Sequence, residues 1–125
     1  MQREDIVRLT HMRDAAASAL RFVQGRTRDD LDRDQMLLFA LVRAVEIIGE
    51  AATKVSPDGQ DALPDIRWRA ITGMRNRLVH AYFDVDRGIL WETLQSEMPG
   101  LKARLSAVLD AFDKGSGDQD GSADS

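Results

Sequence analysis

Met36-Leu37-Leu38-Phe39-Ala40-Leu41-Val42, followed by Val45, Ile47 and Ile48, is apolar almost all the way round a helical wheel. Such a helix has little face to offer to water, so it reads as the central, most buried element of a helical protein. Just upstream, Thr27-Arg28-Asp29-Asp30 has the Ser/Thr-x-x-Asp/Glu form of a capping box, and its acids suit the positive start of a helix. Ser56-Pro57-Asp58-Gly59 supplies the stop. Gly49 inside the stretch costs about 1 kcal/mol against alanine, and close approach of another helix is a reason to carry it. Glu46 and Glu50 lie one turn apart and share a face. Such a pair either does acid/base work or, more commonly, orients an arginine.

Outward from this centre the chain continues to read as helix. From Glu4 to Val23, apolar residues at Ile6, Leu9, Ala16, Ala19, Leu20 and Val23 give one buried face, and Gly25 ends it. His11 in this helix stands alone and reads as a surface or packing residue. Pro64-Asp65 is expected to open a third helix, with Asp65 as its cap and Ile66, Ile71, Met74 and Leu78 facing inward, Val79 beside them. Trp68 lies between two arginines, where an indole either packs, its commoner use, or stacks a base. Asp84-Val85-Asp86 offers caps for a fourth helix from about Arg87, with Ile89, Leu90 and Leu94 inward. Pro99-Gly100 predicts a kink or break, with a last helical piece over 101–112. No strand alternation or internal repeat is visible. The expectation is one all-α domain over 1–112, an antiparallel bundle of four to five helices, with an acidic tail over 113–125 that is disordered.

Composition narrows the chemistry. The chain has 125 residues, of which 43% are hydrophobic, enough for one small core. It has no cysteine, so disulfides, thiolate metal sites and a cysteine nucleophile are excluded. With only two histidines, His11 and His80, a histidine-rich metal site is not expected; no metal and no cofactor are called for. No apolar run reaches membrane length and no signal-peptide pattern opens the sequence, so a cytoplasmic protein is expected. The formal net charge is −4, but the aspartates of the tail carry most of it and leave the body close to neutral. Between Ile66 and Phe83 stand Arg67, Arg69, Arg75 and Arg77 with no acid. A phosphate backbone responds to such a local patch rather than to net charge, although helix arginines are usually just solvated.

The chemistry concentrates in Met74-Arg75-Asn76-Arg77-Leu78-Val79-His80-Ala81-Tyr82. On an ideal helix Arg75 and His80 point about 140° apart. Asn76 and His80, at i and i+4, can touch, and Arg75 and Tyr82, at i and i+7, align. A helix that ends near His80 would instead let His80 and Tyr82 point the same way, as alternate residues do in extended chain. Either the helix end bends His80 towards Arg75, or two chains bring their copies together; spacing alone does not choose. The residue types suit RNA cleavage without metal. An imidazole can take the proton of a ribose 2′-hydroxyl, and a forked guanidinium can hold the phosphate and its developing charge. Asn76 can fix the imidazole, and Tyr82 can hydrogen-bond a phosphate oxygen or donate a proton.

The string from Gly73 to Tyr82 resembles the R-x4-H-x-Y signature of HepT-like toxins, helical ribonucleases of the HEPN superfamily. The likeness extends to Glu46-Ile47-Ile48-Gly49-Glu50-Ala51, Trp68, Val85-Asp86, Pro99 and Leu101. It implies an all-α bundle forming a two-fold homodimer, with both motifs lining one interfacial cleft. It also implies a toxin–antitoxin pair of type II or VII, with RNA as substrate and a minimal nucleotidyltransferase as antitoxin that can transfer AMP to Tyr82. Matched position by position, Arg75 and His80 are the catalytic residues and Asn76 and Tyr82 support them; Arg69 and Arg77 are candidate RNA contacts. The competing readings are a non-catalytic nucleotide-binding or adaptor subunit of a nucleotidyltransferase complex, and a purely structural dimerisation domain.

Overall fold

A computed structural model describes residues 1–80 and 84–124, with side chains described through residue 115. Eight helices and one two-stranded ribbon are present among the described residues: α1 (Arg3–Val23), α2 (Asp30–Arg33), α3 (Gln35–Thr53), α4 (Pro57–Ala62), α5 (Trp68–Thr72), α6 (Met74–Leu78), β1 (Val79–His80), β2 (Asp84–Val85), α7 (Arg87–Ser96) and α8 (Met98–Asp124). The all-α reading holds. None of these helices is long and apolar enough to cross a membrane. Most of the stretch 113–125 expected as a tail falls outside the described side chains.

α1 and α3 form the central pair, and α8 also packs on α1. The first two run antiparallel, because polar contacts close both ends. At one end the buried Asp5 of α1 accepts hydrogen bonds from Ser56 N at 2.8 Å and Ser56 Oγ at 2.6 Å, just past the end of α3. At the other, Arg26 beyond α1 pairs at 2.7 Å with Asp34, which caps α3. Leu9, Met12, Ala16 and Ala19 of α1 meet Leu41, Val45 and Ile48 of α3 in one core that also takes in Leu90, Leu94 and Leu105. α3 is nevertheless not buried all round. Met36 is 84% exposed and Phe39 50% exposed, so the single chain leaves an apolar face of its central helix uncovered.

Several local expectations shift for physical reasons. Only half of the box at Thr27 forms: Thr27 N–H donates to Asp30 Oδ2 at 2.7 Å, but the Asp30 N–H goes to the Thr27 carbonyl rather than its hydroxyl, and the short α2 starts after Asp29 with no side-chain cap. Asp34 then restarts the helix by accepting from Leu37 N–H at 3.0 Å. Ser56 does not merely stop α3; its Oγ accepts from Gly59 N–H at 3.0 Å and so caps α4. Asp65 caps nothing. Its carboxylate is taken by the fork of Arg104, and the third helix begins at Trp68 and breaks at Gly73 into α5 and α6. The break before the last helix falls at Glu97, and Pro99 sits in the first turn of α8, where its missing N–H costs nothing. Asp86 caps α7 as expected, accepting from Ile89 N–H; Ile89 itself is 40% exposed rather than inward. Gly49 does face a neighbour, the carbonyls of Ile71 and Thr72, but a Cβ there would sit 3.6 Å from the nearer, which is ordinary contact.

Two predictions follow from this packing. A Cβ at Gly59 would lie 2.6 Å from Asp5 Oδ2 and 2.9 Å from Val55 Cγ1, so Gly59→Ala is expected to lower unfolding free energy by about 1–3 kcal/mol in urea melts. Leu37 N–H, and then Arg26, hold the Asp34 carboxyl below its ordinary value of 3.8, and Arg104 does the same for Asp65. Groups depressed on folding contribute stability above the ordinary value, and that contribution is lost as pH falls through the lowered one. Asp34→Asn and Asp65→Asn should therefore each lower the melting temperature near neutral pH, with the deficit against wild type shrinking below the ordinary value of 3.8.

Candidate active site

The candidate site is built where α6 stops. Leu78 is buried, and its carbonyl accepts from Asp86 N–H at 2.7 Å. Val79 then turns extended, with φ −110° and ψ 114°, and the chain enters the ribbon, where Val79 pairs with Val85 and His80 with Asp84. Arg75 and Arg77 in the last turn suit the negative end of the short helix. His80 is thus in extended chain, exposed, and opposite Asp84. Residues paired across an antiparallel ribbon share one of its faces, so Asp84, read in the sequence only as a cap, lies on the same face of the ribbon as His80. The signal for this was too short to find, two residues on each strand.

Arg75 projects from α6 towards α3. Its Nε donates to Glu46 Oε2 at 3.3 Å, and its terminal nitrogens make no hydrogen bond to a described residue. The arrangement leaves the two-nitrogen end of the guanidinium open to an anion while the Nε side is held. Glu50, one turn on, pairs at 3.5 Å with Arg43. Of the two roles open to this acidic pair, each glutamate therefore takes the arginine-holding one. Arg75 is half exposed and Glu46 28% exposed, so their ion pair contributes at most about 1 kcal/mol to stability. Its consequence is geometric.

Asn76 is exposed. The helical contact with His80 that their spacing allows is not made among the described contacts, because the helix ends first. Arg75 and His80 likewise share no hydrogen bond within the chain; each is open on its own. Tyr82 lies outside the described residues. Arg77, two positions from Arg75 and so across the helix from it, donates to Ala70 O at 3.4 Å. Trp68 packs, its Nε1–H donating to Leu63 O at 3.1 Å, yet part of the indole stays open and lines a shallow groove with Arg67, Arg69 and Arg77. Among the described residues no group of three His, Asp or Glu side chains gathers in a way that could hold a metal ion.

Residues 12–108 match the family described as Ribonuclease HepT-like. The chain belongs to the HepT-like ribonuclease family. It is 39% identical over 96 residues to a protein named "Probable ribonuclease HepT" of Thermococcus cleftensis, covering 74% of this chain and 87% of that one. It is 34% identical over 101 residues to a "Putative RNase" of Caldanaerobacter subterraneus, covering 81% and 90%. A "Putative RNase" of Methanocaldococcus jannaschii is 30% identical over 95 residues, covering 76% and 87%. No solved structure matches. Family membership places the chain among ribonucleases, and the HepT-like likeness read from Gly73 to Tyr82 is borne out.

The Glu46–Arg75 contact yields a separable prediction. Glu46→Gln should leave the melting temperature almost unchanged, since the pair is exposed, yet lower RNA cleavage by about tenfold or more by freeing the guanidinium to wander. Equal cleavage by the variant would show that Glu46 does not position Arg75.

Proposed function

We propose that this HepT-like ribonuclease is a metal-independent endoribonuclease toxin acting in the cytoplasm as a homodimer, with Arg75 and His80 as its catalytic residues. The observation that carries the reading is the end of α6 at Leu78, which releases His80 from the helix while Glu46 holds Arg75 by its Nε edge. His80 takes the proton from a ribose 2′-hydroxyl. The 2′-oxygen attacks the adjacent phosphorus, and the bond from phosphorus to the 5′-oxygen breaks. That oxygen leaves with a proton supplied by Tyr82 or water. The terminal nitrogens of Arg75 take the charge that gathers on the phosphate, and Asn76 steadies the substrate or the imidazole. The products are a 2′,3′-cyclic phosphate and a 5′-hydroxyl, and DNA, lacking the nucleophile, is inert.

A dimer supplies what one chain lacks. Met36, Phe39, Arg43, Glu46 and Glu50 recur at spacings of three and four along α3 and so form one stripe. It runs from two exposed apolar side chains to the carboxylate that holds Arg75. A second copy seated on this stripe covers the apolar end and brings two Arg75–His80 sets to one cleft. A minimal nucleotidyltransferase as antitoxin belongs to the same proposal, as the partner that the resemblance over Gly73–Tyr82 implies. AMP placed on Tyr82 would bring phosphate charge into a cleft meant for RNA phosphate and close it.

Purified protein should cut single-stranded RNA in the presence of EDTA, leaving cyclic phosphate ends. Arg75→Ala and His80→Ala should each reduce the rate by at least about a hundredfold without changing the elution volume of the dimer. Loss of activity in EDTA with recovery on adding a divalent metal would overturn the mechanism. So would full activity in either variant.

A further inference from the structure

A second concavity lies apart from Arg75 and His80. Between α5–α6 and the start of α8 is a cleft of about 330 Å³, within the range of small-ligand pockets, about 300–1,000 Å³. Ile66, Ile71, Met74 and Met98 form its apolar floor; Arg67, Arg77 and Glu97 stand among its polar lining, along with the Asp65–Arg104 pair. Arg67, Ala70 and Arg77 also line the open groove of about 520 Å³ that carries Trp68 and Arg69. The two concavities therefore adjoin along these three residues.

The charges are placed unevenly. Arg104 is spent on Asp65, whereas Arg67, Arg69 and Arg77 pair with no carboxylate among the described residues. Three guanidiniums without a carboxylate partner among the described residues thus gather along one groove beside a partly open indole, Arg77 making one long bond to the Ala70 carbonyl. An apolar floor cannot hold a phosphate, and a cationic groove alone does not need a floor. A flipped-out base attached to a phosphate needs both. At the lip, the Glu97 carboxylate is an acceptor for a base amino group.

Resting on the ribonuclease reading, we infer that this cleft and groove bind single-stranded RNA next to the scissile bond, one unstacked base in the cleft and its flanking phosphates on Arg67, Arg69 and Arg77. The tract lies across α6 from Arg75, so it extends the substrate path beyond the catalytic pair. Single-stranded RNA is favoured because only an unpaired base can leave its stack to enter. A polypeptide partner is the rival occupant.

The test is binding, not turnover, in the His80→Ala dimer, using short single-stranded oligoribonucleotides of each base and a duplex of equal length. Single strands should bind more tightly than duplex. Arg67→Ala and Arg77→Ala should each weaken binding and lower the slope of log affinity against log salt by about 0.7. Gly100 stands at the lip of the cleft, where a Cβ meets nothing within 4 Å, so Gly100→Phe is a cleft-blocking change that folding can accept. It should cost about tenfold in affinity and flatten any preference among bases. Unchanged RNA binding in all three variants, with cleavage by the wild type intact, would overturn the tract and leave the Arg75–His80 reading standing. Variants that lose only a protein partner would assign the surface to that partner instead. Wild-type protein that neither binds nor cuts RNA would overturn both.

Discussion

One hydrogen bond decides what the motif can be, from Asp86 N–H to the carbonyl of Leu78 at 2.7 Å. It satisfies a carbonyl at the end of α6 from outside the helix and ties that end to the cap of α7. Leu78 and Val85 are buried on either side of it. With that contact made, the helix has no continuation. Val79 and His80 must leave in extended form, and Asp84 must come back opposite His80. Had the helix run on through His80, the imidazole would have pointed about 140° away from Arg75, and the same residues would have been a solvated helix face.

The second requirement is that Arg75 be aimed. Long cationic side chains lose much freedom when fixed, and exposed ion pairs give little back in stability. The Glu46–Arg75 contact is therefore poorly explained as a brace for the fold. It makes sense as a means of choosing one direction for a guanidinium while keeping its forked end free. The neighbouring Arg43–Glu50 pair occupies the other carboxylate of the stripe, which leaves Glu46 to Arg75.

The sequence made the helical class legible because each long helix has one apolar period and its stops are chemically marked. It also made the motif legible, since Arg75, His80 and Tyr82 lie within eight positions. What it could not give were contacts set by distant partners. Asp65 has the form of a cap, yet Arg104, 39 residues away, takes its carboxylate. Asp5 looks like an ordinary first-turn acid, and it becomes a buried acceptor for Ser56, 51 residues on. The ribbon at Val79–His80 is too short to show alternation. The apolar run of α3 marks the same limit, since periodicity does not tell whether an apolar side chain is covered by its own chain or left for another.

That last ambiguity bears on function. Met36 at 84% exposure and Phe39 at 50% are costly to leave in water when the remainder of α3 is packed, because burying a large apolar side chain is worth about 1.5–3 kcal/mol. They sit on the stripe that leads to Glu46 and Arg75, not on a remote face. In the dimer proposed above, a copy seated on this stripe covers Met36 and Phe39, while the Glu46–Arg75 contact lies further along the same stripe of each chain. That leaves the forked end of Arg75 and the exposed His80 of each chain for substrate in that reading. Glu46 already offsets part of the charge of each Arg75, so the two guanidiniums do not by themselves demand an anion between them. What suits RNA phosphate at Arg75 is therefore geometry: a forked guanidinium edge, held from its Nε side and making no hydrogen bond to a described residue.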